Sequence, residues 1–409
     1  MSNLRLLVLS AMLSSLLGLA ACGGGGGYGG GNNAPSGAAP SKLFAADSPH
    51  KAIGSLANPN PGAGTFPVDR TIMGPIYTEL SNNIGGLALD PALDYLYVGN
   101  GTSILVFYMA SMANGDIPPS RVITNNPAGG NTGSLFLDTV NNLLYVGDDA
   151  VGVRVFNNAS GISGATTSAR LITGLGTIHG VAVDTGYNIL YVSNTSSTPS
   201  NEINLFTAST ANGAATPLKT ITPTVAAVNV SVGGISLDMA NDRLYAAGFT
   251  DSTVRVFDSV HNTPGGAIPP TKTLTFPGTT GTISSVTIDS TNNRLYAVSL
   301  GAIYILNSAS TANDPITVTA ILVPTNGSFT AVAVNPMTGY VPPYAQFGGS
   351  PMGCAASANF ATERIIGSEN LGPTICSPTG SLAAVSPAGT LAAGSAASDT
   401  RNVGPIQSM

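Results

Sequence analysis

The chain has 409 residues, a net charge of −6 and a pI near 4.9, so no basic surface is available to collect phosphates and nucleic acid is excluded as a partner. Only 8% of the residues are charged and the mean hydropathy is +0.27; Ser, Thr, Asn and Gly fill the places where cytosolic proteins carry Lys and Glu. No Gly-x-Ser-x-Gly elbow, zincin helix, phosphate loop or Walker motif occurs.

At the N-terminus a lone cation, Arg5, precedes an apolar run over residues 6–19 and then Leu19-Ala20-Ala21-Cys22. The run is too short, and too closely followed by glycine, to span a bilayer, and residues 1–21 read as a secretion signal. The tetrad resembles the lipobox of bacterial lipoprotein signals. That resemblance implies cleavage before Cys22 and a thioether-linked lipid on its sulfur. With Gly rather than Asp at position 23, it also implies the outer membrane, on its periplasmic or surface side. Two or more acyl chains make such an attachment stable. The alternative is an ordinary secretory signal in which Cys22 is incidental. Residues 23–40 are nearly all Gly, Asn, Ala, Ser and Pro, a composition that buries no apolar area, so residues 22–41 read as a flexible tether.

A repeat organises the chain beyond the tether. An apolar strand ending in Asp recurs before Leu-Tyr: Leu87-Ala-Leu-Asp90 before Leu96-Tyr97, and Leu135-Phe-Leu-Asp138 before Leu144-Tyr145. Val181-Ala-Val-Asp184 precedes Leu190-Tyr191, Ile235-Ser-Leu-Asp238 precedes Leu244-Tyr245, and Val286-Thr-Ile-Asp289 precedes Leu295-Tyr296. The spacing from Asp to Tyr is seven each time, and a degraded sixth unit carries Asn335 in the place of the Asp. A β-branched third strand follows in each unit, as in Ile104 to Phe107 and Val153 to Phe156. A fourth opens on a cation: Arg121-Val-Ile, Arg170-Leu-Ile, Lys219-Thr-Ile and Lys272-Thr-Leu. These cations suit an outer edge, where charge discourages pairing with another chain.

Four antiparallel strands per unit of about fifty residues is the arithmetic of a propeller blade. The expected fold is all-β, a six-bladed β-propeller over residues 42–347. The sixth unit supplies a first strand and a weak second near Tyr340. Lys42-Leu43-Phe44-Ala45 and Arg70-Thr71-Ile72 resemble the missing third and fourth, so the ends are expected to close the ring as one composite blade. Seven blades is the alternative, if residues 354–409 form a blade of their own. Residues 348–409 otherwise read as an appendage with a Cys354–Cys376 disulfide, as an even pair in an exported chain suggests, followed by low-complexity sequence.

The Leu-Tyr-Val followed by Gly-Asn (96–100), Gly-Asp (144–148) or Ser-Asn (190–194) is similar to the YVTN/lactonase-like β-propeller repeat. This resemblance implies the fold over residues 42–345; its members include binding modules, surface proteins and lactone-opening enzymes, so it assigns no functional residue here.

The repeated Asp residues each precede a turn rich in Asn, Asp and Gly, where a carboxylate caps backbone N–H groups. Inner strands line a propeller's channel, so the positions five residues before each Asp, or before Asn335 in the sixth unit, face its mouth: Gly85, Gly133, His179, Gly233, Ser284 and Thr330. His179 is the exception to small size and is a candidate proton acceptor or metal ligand, set against a lone imidazole satisfied by backbone. The turns between second and third strands place Asn100, Asp148, Asp149, Asn194 and Asp251 at one rim, as candidate contacts for a polar ligand or a divalent cation, or as plain turn-formers. Two functions are therefore expected. One is a membrane-anchored, non-enzymatic module binding a protein or polysaccharide in the cell envelope; the other is a lactonase-like hydrolase with its site at the channel mouth.

Overall fold

The computed structural model describes residues 42–335 apart from 82, 125–129, 196–200, 227, 279–280, 300 and 325–326, together with two short paired strands, Thr374–Cys376 and Leu382–Ala384. The expected signal, Cys22, the tether, Cys354 and its pairing with Cys376, and the strand near Tyr340 lie outside the described residues.

Six antiparallel sheets make six blades. The first runs outward through Ile84–Asp90, Tyr95–Asn100, Ser103–Phe107 and Arg121–Thr124, and the second through Thr132–Asp138, Leu143–Asp148, Gly152–Asn157 and Arg170–Ile172. The third comprises Thr177–Asp184, Ile189–Thr195, Asn201–Thr207 and Lys219–Val225, and the fourth Ile235–Asp238, Arg243–Ala247, Thr253–Asp258 and Lys272–Thr275. Ser285–Asp289, Arg294–Ser299, Ala302–Asn307 and Ala320–Val323 form the fifth.

The sixth blade is composite, but the chain ends share it differently from the expectation. Lys42–Asp47 pairs directly with Phe329–Asn335, Lys42 opposite Asn335, so it is the second strand rather than the third. Ala52–Leu56 is the third strand and Arg70–Met73 the fourth. Ala-Ile-Gly-Ser-Leu lacks the β-branched run that marks third strands elsewhere, which leaves it unmarked in the sequence and lets Leu43-Phe44 pass for one.

Successive side chains of a strand point to opposite faces, and each blade is covered on both by its neighbours. Leu96 and Val98 therefore pack with Phe44, Ile53 and Ile72 of the sixth blade, whereas Tyr97 packs with Leu144, Val146 and Phe156 of the second. Six such clusters, one per interface, hold the ring among the described residues. This two-sided burial is why the second strands read as unbroken apolar runs.

The fourth-strand cations do not guard free edges. Arg121 Nη1 donates to the Ala159 and Ile162 carbonyls at 3.1 and 2.6 Å, and Arg170 Nη1 to those of Ala208 and Ala211. Lys219 reaches the His261 carbonyl, Lys272 that of Ser310 and Arg70 that of Met112. Each acceptor lies in the next blade, so these cations rivet neighbours together. The next blade covers the edge itself as well: Gly164–Ala165, Gly266–Ile268 and Gly64–Thr65 pair in parallel with the preceding outer strands, and Gly213 and Gly115 make single parallel bridges. At the remaining interface the Thr275 N–H donates to the Asp314 carboxylate at 2.9 Å.

Candidate functional site

The inner strands converge on a central cavity of about 410 Å³. Crowding there dictates residue size: a Cβ on Gly85 would lie 2.1 Å from the Thr132 carbonyl oxygen, and one on Gly180 2.6 Å from the Ile235 nitrogen. Hydroxyls facing the cavity stitch adjacent inner strands together. Ser134 accepts from the Val181 N–H, Ser236 accepts from the Ile288 N–H, and Thr287 donates to the Val332 carbonyl. Among the residues lining the cavity only one is titratable, His179.

His179 sits near the start of the third blade's inner strand. Its Nε2 lies 2.6 Å from Thr195 Oγ1, which donates to Asn201 Oδ1 at 3.0 Å. With the hydroxyl proton committed to Asn201, Nε2 is the donor and Nδ1 the acceptor of the neutral ring. The imidazole stacks on Phe249 of the fourth blade, centroids 5.2 Å apart and planes at 27°. Burial lowers its pKa from the ordinary 6.5, favouring the neutral form.

The other mouth positions are structural. Besides Gly85, Gly233 is held by proximity to the Ser284 carbonyl, Ser284 Oγ donates to the Val298 carbonyl and Thr330 Oγ1 to that of Ala46. Gly133 is distinguished by its neighbour, since a Cβ there would meet Asp149 Oδ1 at 3.3 Å.

Most of the rim residues spend their polar atoms inside the protein. Asn100 accepts from the Ser81 N–H and donates to the Glu79 carbonyl. Asp148 is fully buried, accepting from the N–H groups of Gly130 and Ala150 and pairing with Arg154 Nε at 3.1 Å. Asn194 donates to the Leu175 carbonyl and accepts from Asn204 Nδ2. Asp251 pairs with Arg255 and accepts from the Thr253 N–H. Asn100, Asp148 and Asn194 thus tie the loop entering each inner strand to the hairpin beside it. Asp149 differs: it is exposed, and partial desolvation of its carboxyl, followed by the charge of Asp148, raises its pKa. The repeated Asp residues cap turns, Asp90 accepting from Ala92 and Leu93 N–H and Asp184 from Gly186 and Tyr187 N–H.

The structure therefore brings His179 together with Thr195, Asn201 and Phe249, none of which stands out in the sequence as a site residue. A signal for Phe249 exists: the first three units end their second strands in Asn or Asp, whereas the fourth reads Ala247-Gly248-Phe249 and so places an aromatic ring at the turn. Among the described residues no group of three or more His, Cys, Asp or Glu is arranged to hold a metal ion.

No protein-family model matches the chain, and no curated protein matches it in sequence. Among solved structures it is similar to that of a nidogen/laminin complex, at 13% identity and a TM-score of 0.50, over 73% of this chain and 99% of that one. It is also similar to the β-propeller domain of Myceliophteria thermophila Cps50 (Swd1), at 13% identity and a TM-score of 0.40, over 58% of this chain and 70% of that one. The likeness is one of fold: the chain is a six-bladed β-propeller.

Proposed function

We propose that the chain is a tethered binding module of the bacterial cell envelope. In this reading a lipid on Cys22 attaches it to the outer membrane, residues 23–41 span the gap, and the ring offers the channel mouth around His179 as its ligand-contact surface. The observation that supports binding over turnover is the composition of the cavity, whose single titratable lining residue is already engaged by Thr195 and stacked on Phe249. Acid–base catalysis needs a second protonatable group converging on the same reacting atom.

The mouth combines a stacked pair of rings, a hydroxyl and an amide. That chemistry suits an uncharged polar ligand with one apolar face, such as a sugar ring of a polysaccharide. Glycan-array binding that is lost in Phe249→Ala and His179→Ala variants of unchanged melting temperature is the expected result. Hydrolysis of lactones that disappears in His179→Ala would instead establish the lactonase-like alternative suggested by the YVTN-type repeat. The anchor is tested separately: Cys22→Ser should move the protein from the membrane fraction to the soluble one, and an unmodified Cys22 in the intact mass of the mature chain overturns it.

A further inference from the structure

The third strand of the sixth blade carries Gly54 opposite Ala45. At the same register the third strands of the other five blades carry Leu105, Arg154, Asn204, Arg255 and Tyr304. Leu105 and Tyr304 belong to the cores that their blades share with the preceding ones, so a large side chain ordinarily fills this place. Gly54 does not have the positive φ that calls for a glycine, and its lack of a side chain therefore serves space. The result is a second cavity, of about 340 Å³, between the fifth and sixth blades, none of whose lining residues borders the central channel.

Its walls are apolar. Phe66 and Phe329 meet edge to face, 5.4 Å between centroids, and Val68 and Met73 stand at the surface with exposures of 45 and 50%. Charge enters through one pair, Asp47 and His50, whose Nδ1 lies 3.0 Å from Asp47 Oδ2. Asp47 Oδ1 receives only the long His50 N–H bond at 3.4 Å, and the Asp47 side chain stays 16% exposed. No Lys or Arg lines the cavity, and the neighbouring Lys51 is exposed in its turn.

The second blade shows what this arrangement lacks. There Asp148 occupies the register of Asp47 and Arg154 that of Gly54, and the two side chains form a buried ion pair. In the sixth blade the carboxylate is kept and the arginine is replaced by a cavity with aromatic walls. An apolar stem with a cationic head fits both halves of that space, the stem against Phe66 and Phe329 and the head on Asp47. Apolar walls with one polar handle, in a volume above about 300 Å³, are the usual make-up of a small-molecule site.

We infer that this cavity is a binding site for a small organic cation, an ammonium or guanidinium group on an aromatic or branched aliphatic body. The inference goes beyond the reading of the channel mouth and depends on neither the anchor nor His179.

Titration with 4-fluorophenethylamine at physiological salt, read by its fluorine resonance, tests it. Saturable binding by the parent chain is expected, and several-fold weaker binding of the uncharged N-acetyl derivative. Asp47→Asn should weaken the amine several-fold while leaving the acetylated compound unchanged. Gly54→Arg, which supplies the side chain of the second blade, should abolish binding without lowering the melting temperature. Val68→Arg, at an exposed position of the cavity wall, should weaken binding and keeps the test valid if Gly54→Arg folds poorly. Absence of saturable binding overturns the inference. So does equal affinity for the amine and its acetyl derivative, or amine binding unchanged in Asp47→Asn or in Val68→Arg.

Discussion

Two adjacent carboxylates show how little a residue's type says about its role. Asp148 is fully buried, holds two loop N–H groups and pairs with Arg154, whereas Asp149 is exposed. Removing Asp148 strands a buried guanidinium, so Asp148→Ala should cost about 3–5 kcal/mol; Asp149→Ala, at an exposed position, should stay within about 0.5 kcal/mol. The urea midpoints of the two variants check this, and equal midpoints contradict it. At His179 the sign follows from burial. Its folded-state pKa is lowered, so the folded chain binds fewer protons than the unfolded one between the depressed value and 6.5. The corresponding stability is intact above about pH 6.5 and is lost as pH falls through the folded value. His179→Asn should therefore lose less stability than the parent when urea unfolding is moved from neutral to mildly acidic buffer; a gap independent of pH contradicts the assignment.

At the scale of the strand, the recurring Tyr is legible as a period and illegible as a contact. Tyr97 donates to the Ala159 carbonyl at 3.0 Å and Tyr296 to that of Pro59 at 2.9 Å, acceptors in the next blade and far away in sequence. A spacing of seven from Asp places the ring on the blade interface; nothing local in the sequence says which carbonyl it will meet. The same distance hides the target of Arg121, which is why its charge reads as edge protection until the next blade is seen over it. The five tyrosines are not equal. Tyr191 OH is buried with no hydrogen-bond partner among the described residues, and burial, before the nearby Asp184, raises its pKa. Tyr296→Phe leaves the buried Pro59 carbonyl without its donor and should cost about 1–2 kcal/mol, whereas Tyr191→Phe removes an unsatisfied hydroxyl and should be neutral or stabilising. Thermal unfolding of the two variants decides it: a loss at Tyr191 as large as at Tyr296 would mean that the rings alone, and not the hydroxyls, set the interface.

Over the whole molecule, blade number, strand count and the pairing of the two ends were legible because each rests on a repeated local pattern. The division of the sixth blade was not, because it contains one copy of strands that have no template to match. The site divides in the same way: His179 stands out as the one departure from small residues, while Phe249 joins it through a neighbouring blade. Closure itself can be isolated with a matched pair. Ala45 opposite Val332 and Ala246 opposite Ile235 occupy the same register of their second strands, and both are buried. An aspartate at either buries an unpaired carboxylate, so Ala45→Asp and Ala246→Asp should both lose several kcal/mol, as native-state desolvation penalties require. Their consequences for the ring differ. Ala246 lies in a blade whose four strands follow one another in sequence, so local disruption there leaves the seam intact. Ala45 lies in the strand that alone hydrogen-bonds the N-terminal part of the sixth blade to its C-terminal inner strand, and opening it detaches residues 42–73 from Phe329–Asn335. Limited proteolysis under native conditions should therefore cut Ala45→Asp first within residues 42–73 and Ala246→Asp first elsewhere. If both variants are cut first in the fourth blade, or neither is cut in the sixth, the ring does not depend on its terminal strand pair for closure.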